Sequence, residues 1–166
     1  MAAGCAGRGR RGGHTGRVRV YLPAALDQLP CEQVGPGRAH AVTPELRGGL
    51  PAEDDEGLEY AALLAAADDS LALLARRPAA PRLRVVLAAD VPEGLVDHGT
   101  GPDEPASAVE LVGGVSWTTV VSVHVDEPAA RGDVAAALTG DAAADERLVE
   151  RELLWYDVTE VGRIPS

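Results

Sequence analysis

Carboxylates recur where apolar runs end. Asp90 follows Leu83–Ala89, Asp126 and Glu127 follow Val120–Val125, and Asp157 closes Leu153–Val158. Thr43 stands at the end of a further run, Arg38–Val42. Hard divalent cations take oxygen ligands, and neighbouring carboxylates can divide acid and base work between them. Asp90, Asp126 and Asp157 are therefore the candidate catalytic or metal-ligating residues. Asp after a strand is also an ordinary turn former and cap, because its oxygens accept local backbone N–H groups. Both roles stay open. His124 is the candidate base, sharing one face of its strand with Ser122 because strand side chains alternate with period two. A catalytic serine needs an exposed turn and an oxyanion hole, and no GxSxG occurs. A histidine satisfied by a backbone carbonyl is the competing reading. His40 and His98 fall outside HxxxH and HExxH spacing, and Cys5 and Cys31 outside CxxC, so neither a zinc site nor a disulfide framework is indicated.

The elements that must position these residues are legible in outline. Val18, Val20 and Leu22 alternate with Arg19 and Tyr21, which predicts a strand with one buried face. Pro23 suits the first turn of a short helix to Leu29. Arg38–Val42 is a second short strand, and Thr43-Pro44-Glu45 opens a helix with Thr as N-cap. The clearest helix runs from about Glu53 to Arg76, with Tyr60, Leu63, Leu64, Ala67, Leu71 and Leu74 in one stripe. Acids at its start and Arg76-Arg77 at its end complement the macrodipole, and Pro78 stops it. Leu83–Ala89 is almost continuously apolar, as a strand covered on both faces should be. Glu93–Pro105 lacks periodicity and reads as a surface loop. Val109–Val112 and Val120–Val125 are strands, Ser116–Thr119 a helical turn, and Asp133–Leu138 and Asp141–Glu150 helical. Leu153–Val158 is the last strand. The order β-α-β-α-α-β-β-β-α-β predicts an α/β fold with a mixed, mainly parallel sheet flanked by helices; the alternative is an α+β sandwich with helices on one side only. Tyr21, Tyr60, Trp117, Trp155 and Tyr156 are the only aromatics and are expected as core fillers.

Charge divides the 166 residues in two. The net charge of −11 combines five Arg and no acid in residues 1–19 with ten Arg against 26 Asp and Glu thereafter. A body of net −16 repels phosphate backbones and anionic lipid headgroups. Residues 8–19 are the one stretch whose charge favours nucleic acid. Residues 1–16 hold six Gly and nothing aliphatic larger than Ala, so they are expected to be a disordered arm, with one domain over 17–166. Gly7–Gly12 matches GxGxxG but has no strand before it and no helix after it, so the dinucleotide fingerprint is rejected. No apolar stretch reaches the length of a membrane span, and Arg10-Arg11 has no apolar run behind it to make a signal. A cytoplasmic, reduced protein is expected. All basic residues are Arg, with no Lys, Asn or Phe, a bias of GC-rich coding rather than of chemistry.

Several strings share one resemblance. Arg17-Val18-Arg19-Val20-Tyr21-Leu22-Pro23-Ala24, Ala41-Val42-Thr43-Pro44, Glu59-Tyr60-Ala61-Ala62 with Ser70-Leu71, Arg84–Val91, Val123-His124-Val125-Asp126 and Glu152–Asp157 appear in that order. Together they resemble an uncharacterised family of small actinobacterial proteins, a domain of unknown function, over roughly residues 17–162. The resemblance implies no activity. Its members begin near the Val-Tyr-Leu-Pro strand, which implies that the basic arm reflects a start codon placed too far upstream.

Two classes of function follow. The first is a small acidic non-enzymatic module, regulatory or protein-binding, that meets a basic or polar partner. The second is a carboxylate-dependent enzyme or divalent-metal binder at Asp90, Asp126 and Asp157, with His124 in reserve. Apart from that divalent cation no cofactor is expected, and oligomeric state is left open.

Overall fold

A computed structural model describes residues 16–99, 101 and 103–165. The Gly7–Gly12 motif, Cys5 and most of the basic arm lie outside them. In chain order the elements are β1 (Arg17–Ala24), a 3-10 turn (Leu26–Gln28), β2 (Gln33–Val34) and β3 (Gly37–Ala41). Helices α1 (Pro44–Gly49) and α2 (Asp55–Ala75) precede β4 (Val85–Pro92), β5 (Val96–Asp97), β6 (Ala108–Leu111) and β7 (Val115–Ser116). Then come β8 (Val120–Asp126), α3 (Arg131–Ala137), α4 (Ala142–Val149), β9 (Leu153–Tyr156) and a closing 3-10 turn, Val158–Arg163. No helix among the described residues is long and apolar enough to cross a membrane.

Seven strands form one sheet in the order β5-β6-β3-β1-β4-β8-β9, and every neighbouring pair is antiparallel. This corrects the expected parallel sheet. Helix α2 does carry the chain from β3 to β4, as in a parallel crossover, but β1 lies between those two strands. Both run against β1, so the crossover creates no parallel neighbours. The fold is α+β, as in the alternative reading.

The apolar continuity of β4 reflects cover on both faces, not strand direction. On one face Tyr21, Val86 and Ala88 pack beneath Leu58, Ala62, Leu63, Ala66 and Ala67 of α2. On the other, Val20, Leu22, Leu87, Ala89, Val109 and Val123 pack with Val115 of the β2–β7 ribbon and with Val161 and Ile164 near the C-terminus. A third cluster joins Leu74 at the end of α2 to Val134 of α3 and Leu148 of α4. Local chemistry fixes the ends of the helices. Thr43 accepts from the Leu46 N–H at 3.0 Å, with Pro44 in the first turn, and Asp54 accepts from the Gly57 N–H at 2.9 Å.

Several local expectations also change. Pro23 lies inside β1 opposite Val86 and starts no helix. Asp90 is a β4 residue, not its terminator, and the 93–105 stretch contains a 3-10 turn and β5. Tyr60 faces solvent at 46% exposure, since Leu58 and Ala62, not Tyr60, share the buried stripe. Trp155 is 60% exposed on the outer strand β9, so it is not a core filler.

Candidate functional site

The antiparallel sheet sends the C-terminal ends of adjacent strands to opposite edges, which parts Asp126, at the end of β8, from Asp90 and Asp157, which belong to the opposite ends of β4 and β9. Asp90 sits opposite Arg19 in the β1–β4 register and takes its guanidinium in a fork, Nε to Oδ1 at 2.6 Å and Nη2 to Oδ2 at 3.2 Å. That hydrogen bond holds the Asp90 carboxyl below its ordinary range. Asp126 lies beyond the other end of β4, about 20 Å away at roughly 3.3 Å per residue. It accepts from the Arg84 backbone N–H at 2.7 Å and from the Arg84 guanidinium at 2.8 to 3.2 Å. The pair is buried, with side chains 4% and 0% exposed, and Arg84 also donates to the Leu148 carbonyl. Asp157 caps the closing 3-10 turn by accepting from the Thr159 N–H at 2.8 Å and its hydroxyl at 2.6 Å. Each carboxylate thus has a local or ionic partner. No group of three His, Cys, Asp or Glu able to hold a metal ion gathers among the described residues.

His124 does meet Ser122, with Nε2 and Oγ 3.1 Å apart. Burial, then the charge of Arg19, holds the ring below the ordinary histidine range. Asp90, Arg19 and His124 consequently share one electrostatic neighbourhood on the α2 face. Tyr21 belongs to it as well, donating its hydroxyl to Glu59 at 3.0 Å. Burial first and Glu59 next push its phenol above the ordinary range. The Ser122–His124 couple lacks a third group to orient the ring, because Nδ1 has no hydrogen-bond partner among the described residues.

A concave site opens elsewhere, where the sheet splits. Strand β1 has β3 as partner only at Val20 and Tyr21, and past Tyr21 the two strands part. Pro23, which has no N–H to place in a ladder, lies where that pairing is lost. Gly37, at φ 143° at the start of β3, turns the chain away through backbone space that side chains rarely occupy. The gap becomes a cleft of about 690 Å3. Leu22 and Leu87 line it from the sheet, Arg38 from β3, and Leu29, Cys31 and Val34 from the intervening segment. Asp69, Ala72, Leu73 and Arg76 line it from α2. Its size and its mix of apolar walls with a few charged groups are those of a small-molecule site.

Behind the cleft stands a polar chain that the sequence did not disclose. His40, fully buried, has Nδ1 2.9 Å from Ser107 Oγ and Nε2 3.1 Å from Asp69 Oδ2. A carboxylate only accepts, so Nε2 carries the proton and Ser107 donates to Nδ1. Burial holds the His40 ring below its ordinary range, while Asp69 pulls the other way. Asp69 remains 29% exposed on the cleft wall, with Arg38 Nε 3.8 Å from it and the Arg38 guanidinium also paired with Glu104. Ser107 is itself buried, so the chain orients Asp69 and presents no nucleophile. The spacing of 69, 72, 73 and 76 on one helical face could have drawn attention to the wall; nothing in the sequence pairs His40 with Ser107.

Among known families, one model, described as "Family of unknown function (DUF6912)", matches residues 18–164. Neither the curated proteins nor the solved structures contain a match.

Proposed function

We propose, for a chain that belongs to the family of unknown function DUF6912, a non-enzymatic role: a small acidic module that binds an amphipathic small molecule in the cleft between β1, β3 and α2. The observation that carries this reading is Asp69, held at the cleft wall by a fully buried histidine. Burying a polar imidazole is costly unless it is satisfied, and this one holds a charged group beside an apolar cavity. The reading is regulatory rather than catalytic, because neither the cleft nor the Ser122–His124 couple assembles a nucleophile, a base and an orienting group. A cytoplasmic setting suits it, since the Cys31 thiol at the cleft stays reduced there.

A thermal-shift screen of small amphipathic compounds against wild type and Ala72→Trp tests the proposal. Ala72 lines the cleft and is exposed, so an indole there fills space without disturbing the core. Compounds at about 100 times their Kd should stabilise wild type by about 2.7 kcal/mol and leave the variant unshifted. Equal shifts in both proteins, or no shift in either, would overturn the assignment.

A second reading has its own support. Strand β9 is the outer strand, and it exposes Leu154 at 42% and Trp155 at 60% between Glu152 and Asp157. An unpaired edge with apolar side chains and acidic flanks fits an extended basic segment of a protein partner.

A further inference from the structure

We infer that the ligand of the cleft is a zwitterion whose ammonium and carboxylate are separated by an apolar middle, the chemistry of a short hydrophobic peptide with free ends; this rests on the cleft being a ligand site. The wall contributed by α2 is dipolar. Asp69, Ala72, Leu73 and Arg76 follow one another at i, i+3, i+4 and i+7, so they form a single stripe along the helix. An acid stands at one end, a base at the other, and small or apolar side chains between. Seven residues of helix place the charged ends about 10 Å apart. A three-residue extended peptide spans about the same length, at 3.3 to 3.6 Å per residue.

The charges at both ends are available. Arg38 approaches Asp69 but is shared with Glu104, so the Asp69 carboxylate keeps a net negative charge toward the cleft. His40 anchors Oδ2, which leaves Oδ1 to accept from an ammonium. Arg76 enters no ion pair among the described residues, in contrast to Arg77, which holds Asp27 at 2.8 Å. Across the cleft from the stripe, the partly exposed Leu29 and Val34 offer apolar contact. Gln28 spends its carbonyl on the Ala25 N–H, leaving its amide N–H groups for a peptide carbonyl. A simple anion would meet Asp69 and the acidic body, and a simple cation would leave Arg76 opposed. A zwitterion satisfies both ends.

Calorimetric titration of the full chain with the tripeptide Leu-Ala-Leu tests this, alongside its N-acetyl and C-amide forms. The free-ended peptide should bind, and blocking either end should weaken binding about tenfold or more. Arg76→Gln should weaken the free acid about tenfold and bind the free acid and the C-amide alike; Asp69→Asn should likewise become indifferent to N-acetylation. Arg76 is exposed, so its variant keeps the test sound even if Asp69→Asn perturbs His40. Equal affinity for all three peptides, or binding of none, would overturn the ligand class. In that event, screened compounds that still bind wild type but not Ala72→Trp would leave the cleft assignment standing. Tripeptide binding unchanged by Ala72→Trp would sink both.

Discussion

Asp126 is tied to both the backbone and the side chain of Arg84, whereas Asp157 only caps a turn, and the two should respond differently to the same truncation. Asp126→Ala leaves a buried guanidinium without its counterion and should cost about 3 to 5 kcal/mol in urea unfolding. Asp157→Ala removes only an exposed cap and should shift the urea midpoint far less. Matching midpoints for the two variants would contradict the structural role given to Asp126. The histidines make a pH-dependent contribution. Burial lowers the affinity of both His40 and His124 for a proton, so the unfolded chain protonates first on acidification. The stability they allow is therefore complete above the ordinary histidine range near pH 6.5 and declines as pH falls through it toward their lowered values. Asp90 adds a separate loss further into acid, because Arg19 lowers its pKa below the unfolded value. Thermal unfolding between about pH 7.5 and 5.5 should show a falling Tm that flattens in His40→Gln or His124→Gln. An unchanged slope in both variants would refute the assignment. The Ser122–His124 contact could be read from period two, since its members are two residues apart. The His40–Ser107–Asp69 chain could not, because its contacts cross 67 and 29 residues of chain.

Strand β9 shows where element-level reading succeeds and where it stops. Its existence follows from a short run of large residues, and α2 follows from its apolar residues at helical spacing, the acids at its start and Pro78 after its end. Exposure does not follow, because composition says which side chains are large and only topology says which strand lies outermost. Trp155 is exposed because β9 is the outer strand and, among the described residues, the side chain joins none of the buried clusters. Trp117, by contrast, packs against the core. Iodide should therefore quench Trp155 strongly and Trp117 weakly, and Trp155→Phe should remove most of the quenchable emission. Titration with a peptide alternating valine and arginine should shift the Trp155 emission to the blue in a salt-sensitive way if β9 accepts a basic strand. Emission that stays constant through the titration would remove the support for a partner at this edge.

At the scale of the whole molecule, strand direction is what the local pattern does not carry. Alternating helices and strands resemble parallel crossovers, and a strand buried on both faces gives the same apolar run whichever way its neighbours point. What the local pattern cannot contain is the placement of β1 between β3 and β4. The antiparallel β4–β8 pairing parts Asp126 from Asp90, and the early parting of β1 from β3 opens the cleft. The central placement of β1 also sets an order of events during synthesis. The seat of β1 is bounded on one side by β4, and the β1–β4 register runs from Arg17 opposite Pro92 to Ala24 opposite Val85. A nascent chain that has not yet released residue 92 cannot close the centre of its own sheet, although β3 and α2 have already emerged. The first strand made must wait with an open flank for a partner some seventy residues later, and that wait exposes the chain to wrong pairings before it can bury its core.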